Sequence, residues 1–176
     1  MTTRQPPRFS GVTTYRDPLG RFSLRFPTDW HQFDVEGKEG VMYLPSLEDP
    51  ETSFAAWVSQ LQHAVVAEDL EELRLGVDEG LAQLTDSKVA AATEVVLGNL
   101  IKFERIFTFH QGGAVRRRKI WILYVDTWLI VLTWQGSSPE EYEYWFSMAN
   151  YSFATFLIPE ALWFATDRDL VGVNRS

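Results

Sequence analysis

Residues 128–134 read Trp-Leu-Ile-Val-Leu-Thr-Trp, apolar at nearly every position, so a strand formed here would present apolar side chains on both faces. A strand of that kind is buried above and below, which predicts a sheet covered on both sides by helices. Around it the spacing is more regular. Strand signals recur at residues 22–26, 30–35, 41–44 and 53–61, separated by Pro27-Thr28-Asp29, a glycine turn at 37–40 and a Pro-, Ser- and Asp-rich stretch at 45–51. The period then changes. Leu70, Leu73, Val77, Leu81 and Leu84 fall three and four apart, which places them on one face of an α-helix. Glu68, Asp69, Glu71 and Glu72 crowd its first turns, where the helix dipole favours negative charge. Gly76 and Gly80 are unusual inside such a helix; their spacing of four sets them on one side, and close approach of another backbone is the expected reason.

After Asp86 the alternation returns to two. Residues 94–97, 100–110, 114–125 and 128–135 read as four strands, with Gln111-Gly112-Gly113 and Asp126-Thr127 as tight turns. Connections that short require antiparallel neighbours. Ser138-Pro139-Glu140-Glu141 combines an N-cap, a proline at the first helical position and a capping-box glutamate; Tyr142, Trp145, Phe146, Ala149 and Phe153 make the inward stripe that follows. Strands, a helix, four strands and a helix make an α+β class and a single domain, an antiparallel sheet sandwiched by helices. The domain is expected over residues 13–164, with a loose arm at 1–12 and a polar tail at 165–176.

The segment Tyr15-Arg-Asp-Pro-Leu-Gly-Arg-Phe-Ser-Leu-Arg-Phe-Pro-Thr-Asp-Trp30 reads as a strand, a Pro/Gly turn, a second strand and a Pro-terminated exit onto a tryptophan. It resembles the opening of the PsbP-like and DcrB-like families, and the likeness in element order covers residues 13–158. The resemblance implies an α/β/α sandwich that serves to hold partners. Members of these families dock on photosystem assemblies, on a nuclear-transport GTPase or on secreted effectors, and the effector-binding ones cradle hydrophobic client segments and often dimerise. The chain departs from the photosynthetic members in lacking an export or lipoprotein signal, which favours the cytoplasmic, chaperone-like branch.

Composition narrows the field. A net charge of −8 argues against general nucleic-acid affinity, since phosphate binding needs a basic face. With no cysteine, thiolate nucleophiles, disulfides and Cys-ligated metals are excluded. No run of 18 apolar residues is present to span a membrane, and a cytoplasmic location is the expectation. Seven tryptophans suit either a ring-rich core or an interface.

Candidate chemistry is sparse. His31, His63 and His110 fall in three different predicted elements, and the chain holds no nucleophile elbow, Walker loop or dinucleotide fingerprint. His31 and Asp34 would point to opposite faces of a strand, so no metal site is assigned. No catalytic residue and no cofactor are expected. The acids at 68–72, with Asp78 and Glu79, suit the solvated side of the first helix. Two interaction candidates remain. Arg116-Arg117-Arg118-Lys119 is a run of four cations that either pairs with local acids such as Glu104 or docks carboxylates of a partner. Tyr144, Met148 and Tyr151 fall on the outer side of the last helix; they are an adaptable interface, or are covered by the segment Leu162-Trp163-Phe164, or the tyrosines face solvent with no role. The leading function is a non-enzymatic interaction module with a protein partner, a second copy of the chain among the candidates. The alternative is a small-molecule-binding domain or a carboxylate-dependent hydrolase.

Overall fold

The computed structural model describes residues 3–163 of the 176. The chain enters through a hairpin, β1 (Val12–Arg16) and β2 (Ser23–Pro27), whose register pairs Tyr15 with Leu24. Gly20 closes its turn at φ +71°, a left-handed conformation that L side chains disfavour. On β2 Leu24 and Phe26 are buried while Arg25 between them is exposed. The hairpin is a small sheet of its own and feeds Phe22, Leu24 and Phe26 into the main core.

Seven antiparallel strands make the principal sheet: β3 (His31–Asp34), β4 (Glu39–Leu44), β5 (Ser53–Gln60), β6 (Lys88–Leu97), β7 (Leu100–Gln111), β8 (Ala114–Val125) and β9 (Trp128–Gly136). Their spatial order is β3-β4-β5-β9-β8-β7-β6. The strand read as apolar on both faces, β9, is the middle one. Gly112 and Gly113, at φ +60° and +75°, make the β7–β8 turn, and Asp126 at φ +51° helps make the β8–β9 turn. One strand is longer than expected. The signal at 94–97 extends back to Lys88, because the twelve-residue β7 offers a template along its length, and a bulge between Val89 and Ala91 absorbs the broken alternation of the alanine run.

Helices cover both faces. On one, α1 (Leu70–Ala82) lays Val77 and Leu81 over Ile101, Phe103, Phe107 and Phe109 of β7. On the other, α2 (Pro139–Thr155) sits beside the β1–β2 hairpin and buries Tyr142, Met148, Ala149 and Phe153 against Trp134, Leu132 and Phe54. Ser138 caps α2 by accepting from the Glu141 amide at 3.1 Å, as its sequence predicts. The approach of β9 to this helix is so close that a Cβ at Gly136 would stand 2.3 Å from the Tyr142 nitrogen. A short helix, α3 (Glu160–Trp163), closes the described chain, and the expected tail at 165–176 lies outside the described residues.

Candidate functional site: a groove between α1 and the sheet

α1 lies over β7 and β8 but leaves the neighbouring strip of β9 and β5 partly open. The result is a groove of about 460 Å³, floored by Phe107, Ile120, Ile122, Tyr124, Leu129 and Val131 and bordered by Trp57 of β5. Gly76, Val77, Gly80, Leu81 and Leu84 form its helical wall. The two glycines behave differently from expectation. Among the described residues, no atom beyond the flanking residues and the helix's own backbone lies within 4 Å of where a Cβ would sit at either position, so no neighbouring backbone among them requires either glycine. They instead remove side chains from the wall of an open cleft, leaving its helix backbone approachable.

Among the described residues, two cations and no carboxylate reach this largely apolar lining. Lys38 holds its Nζ 4.3 Å above the Trp57 ring. Arg118 is half-buried on β8, stacked 4.7 Å from the Phe109 centroid, and donates to the Gln135 side-chain carbonyl with its Nε at 3.1 Å. Gln135 in turn donates to the Glu51 carbonyl oxygen at 2.9 Å. Among the described residues no carboxylate oxygen is within 4 Å of Arg118. Burial lowers its pKa, an effect that the more distant Glu51 opposes. A guanidinium that is partly desolvated and satisfied only by a neutral amide is a strong attachment point for an anionic group.

The basic run does not form one patch, because strand alternation divides it. Arg116 and Arg118 lie on the α1 side of β8, Arg117 and Lys119 on the α2 side. Arg116 donates to the Ser137 carbonyl at 2.7 Å and Arg117 pairs with Glu143 at 3.4 Å. Lys119 is 7% exposed, 3.8 Å from Glu104 and 4.4 Å from the Phe153 ring centroid. Burial lowers its pKa, with Glu104 acting in the opposite sense and Lys102 adding to the effect. It is a core cation and not a docking residue.

The outer side of α2 also differs from the sequence reading. Met148 is 1% exposed and packs in the main core, so it presents nothing to a partner. Residues 4–9, the segment read as a loose arm, lie along this helix without regular secondary structure. Tyr144 donates to the Gln5 carbonyl at 2.7 Å beneath the Arg4 guanidinium, Tyr151 meets Phe9 edge-on at 5.3 Å, and Arg4 pairs with Glu141. Cover over the tyrosines thus comes from the N-terminal arm, and of the segment 162–164 that was the expected cover, residue 164 lies outside the described residues.

The arrangement of the sheet, its two helical covers and the lateral hairpin recurs in solved structures. Cyanobacterial PsbP, CyanoP, from Synechocystis sp. PCC 6803 superposes with a TM-score of 0.62 at 12% identity, over 90% of this chain and 99% of that one. The chain has the PsbP-like fold. LpqN of Mycobacterium tuberculosis, a protein involved in cell envelope biogenesis, matches with a TM-score of 0.62 at 15% identity over 85% of this chain and 91% of its own. A protein of unknown function from Pseudomonas aeruginosa reaches 0.56 at 13% identity, over 85% and 97%. No family model matches the chain, and no curated protein matches it in sequence.

Within the PsbP-like fold the segment at 15–30 is structural. Asp17 and Arg21 close the hairpin, Phe22 and Phe26 fill the core, and Trp30 stacks on Trp134 at 5.8 Å. The groove draws on sequence features that stand apart in the chain: the glycine pair of α1 and Arg118. Lys38, Trp57 and Tyr124 carry no distinguishing signal in sequence, since an aromatic residue on a strand reads equally as core.

Proposed function

We propose that the protein is a non-enzymatic interaction module that receives an apolar segment of a protein partner in the groove between α1 and the sheet. The observation that supports this most directly is the pair Gly76 and Gly80, exposed on a helix wall with open space beside both. Glycines in a helix interior are unfavourable by about 1 kcal/mol each relative to alanine, and no contact among the described residues offsets that. An occupant that packs its backbone or small side chains onto the helix accounts for them. Arg118 and Lys38 then favour a segment that carries a carboxylate, and Leu129, Val131 and Trp57 supply the apolar contact.

The hydrolase alternative draws no support from the carboxylates. Glu94 is bound by Arg74, Asp78 by Arg105, and Asp49 by the hydroxyls of Thr52 and Ser137. His110 stands at the exposed end of β7, 3.4 Å from Asp86. Among the described residues no group of three or more potential metal ligands occurs.

The test uses two kinds of substitution. Proteins captured on the wild-type chain from native lysate are identified, purified and titrated directly. Gly76→Ala with Gly80→Ala is expected to raise the melting temperature and weaken binding at least tenfold, so that misfolding cannot explain the loss. Arg118→Gln is expected to weaken binding and to flatten its salt dependence. Binding that both variants leave unchanged overturns the assignment of the groove.

A further inference from the structure

The N-terminal arm sits on α2 in the manner of a ligand. Pro6 and Pro7 restrict the backbone at Gln5 and Pro6 to extended geometry. Every residue from 3 to 10 is exposed except the half-buried Pro7, so the arm adds no side chain to the core. Among the described residues it makes no main-chain hydrogen bond to the body before Gly11, whose carbonyl accepts from the Thr28 amide at 2.9 Å. Its contacts follow one line of the helix. Arg4 lies 3.5 Å from the Tyr144 ring centroid and pairs with Glu141, Tyr144 donates to the Gln5 carbonyl, and Phe9 meets Tyr151. The two spans agree: α2 rises about 10.5 Å from Tyr144 to Tyr151, and four residues of polyproline II geometry cover about 12 Å, the reach from Gln5 to Phe9. A proline-containing strand laid on aromatic rings, with a ring hydroxyl on the carbonyl before the prolines, is a mode of peptide recognition. The receiving side offers more than the arm uses. Glu141 is oriented through its other oxygen, which accepts from the Trp145 indole at 3.2 Å. Beside Arg4 opens a pocket of about 300 Å³ whose lining includes Glu48 and Asp49. Among the described residues neither of these carboxylates has a cation within 4 Å. Arg4 therefore meets one acid of three.

We infer that this face of α2, from the pocket at Glu48 to Tyr151, is a docking surface for a basic, proline-containing segment of a partner protein, and that residues 4–9 occupy it in cis as an internal competitor. The arm itself shows the chemistry that the surface reads, in order: a cation at Glu141, a carbonyl at Tyr144, two prolines, and an aromatic ring at Tyr151. A partner segment adds what the arm lacks, a further cation ahead of the first. Thr3 holds that position in the arm and carries no charge, which leaves Glu48 and Asp49 unmet. A tethered segment is present at an effective concentration on the order of millimolar. The arm can thus fill a weak site by itself, and a segment with the second cation displaces it through charge complementarity with the pocket. An arm that served only to seal the core would bury apolar side chains, and this one leaves Phe9 45% exposed.

This inference is independent of the groove on the α1 face. Its test uses the full chain and two labelled peptides, Thr-Arg-Gln-Pro-Pro-Arg-Phe-Ser, which is the sequence of residues 3–10, and the same peptide with arginine in place of its threonine. Arg4→Ala with Phe9→Ala loosens the arm at exposed positions. By fluorescence anisotropy this variant should bind both peptides at least tenfold more tightly than the wild type does, with an unchanged melting temperature. On that background Glu141→Gln and Tyr144→Phe should each weaken binding, and Glu141→Gln should also flatten its salt dependence. The arginine peptide should bind more tightly than the first, and Glu48→Gln should remove the difference. Alanine in place of both prolines should weaken binding by releasing a pre-ordered backbone. Binding no tighter to the loosened chain than to the wild type overturns the inference, as does binding that Glu141→Gln and Tyr144→Phe leave unchanged. Equal affinity for the two peptides overturns the role of the acidic pocket. Gly76→Ala with Gly80→Ala leaves peptide binding intact, so failure of this surface and failure of the groove are separable.

Discussion

The guanidinium of Arg21 grips both carboxylate oxygens of Asp17, Nε to Oδ2 at 2.7 Å and Nη2 to Oδ1 at 2.8 Å, with each residue only 4% exposed. The same guanidinium lies 4.6 Å from the Trp128 ring centroid and reaches Glu39, whose side chain is largely in water. The ion pair thus locks the β1–β2 turn onto the end of the central strand. Removing one partner strands the other charge in the interior. Asp17→Ala should destabilise the fold by about 3–5 kcal/mol, whereas Glu39→Ala should change it little. Denaturant titration of both variants checks this.

The same pair sets an acid limit. Burial alone would raise the Asp17 pKa, but the hydrogen bonds from the Arg21 side chain and amide outweigh it and hold the carboxyl below its ordinary value. A depressed carboxylate contributes stability that is present above the unfolded pKa and is lost as pH falls through the lower folded value. Stability attributable to Asp17 should accordingly persist to about pH 4 and drain away below it. Asp17→Asn should remove that dependence, as read from urea midpoints between neutral and strongly acid solution.

Glycine substitutions should divide sharply by place. At Gly136 a methyl group meets the Tyr142 nitrogen at 2.3 Å and the Ser138 oxygen at 2.6 Å, both main-chain atoms that cannot swing away. Gly136→Ala should lose about 3 kcal/mol or more. At Gly76 and Gly80 a methyl meets nothing, and each alanine should add about 1 kcal/mol. Melting temperatures of the three single variants decide the point.

Alkaline solution should weaken the protein through two buried phenols. Burial pushes Tyr43 and Tyr142 up to about 12. A folded state that retains these protons contributes stability in full below the ordinary phenol value, and loses it as pH rises through the folded one. Among the described residues the buried hydroxyl of Tyr142 has no hydrogen-bond partner. Tyr142→Phe should therefore be neutral or stabilising at pH 7 and should soften the loss above about pH 10.

On α2, Met148→Ala should cost about 2–5 kcal/mol, the range for emptying a buried site. Tyr144→Glu with Tyr151→Glu should affect global stability far less and instead release the arm, exposing Arg4 and Arg8 to trypsin. A large stability loss from the tyrosine pair would place the arm within the cooperative core.

Much of this architecture was legible because burial imposes period. β9 reads as the central strand from apolar residues on both faces, α1 from leucines three and four apart, and the start of α2 from Ser138 and Pro139. What escaped has physical reasons too. The alanines of β6 carry no alternation, so only pairing with β7 reveals them as strand. The sequence pattern sets Met148 outward, yet the buried stripe of α2 is wide: the helix packs on both the sheet and the hairpin and buries more than one line of residues. The division of the basic run follows from strand geometry, yet which of its cations would be left with a neutral partner depended on Gln135, a residue on another strand. The groove is a matter of what α1 fails to cover, and no local pattern encodes that.

The sheet is wound from two runs of sequential hairpins, β3 to β5 and β6 to β9, whose junction is the ladder from Ser53–Gln135 to Gln60–Trp128. Each run is assembled from near neighbours in the chain, but the junction joins residues separated by about half of the domain. Closing that span is entropically demanding and must await both halves. The middle of the finished sheet is therefore the last part to zip, and the rate of folding should answer to substitutions at Ala56 and Leu132, where the halves meet, more than to any at the outer strands.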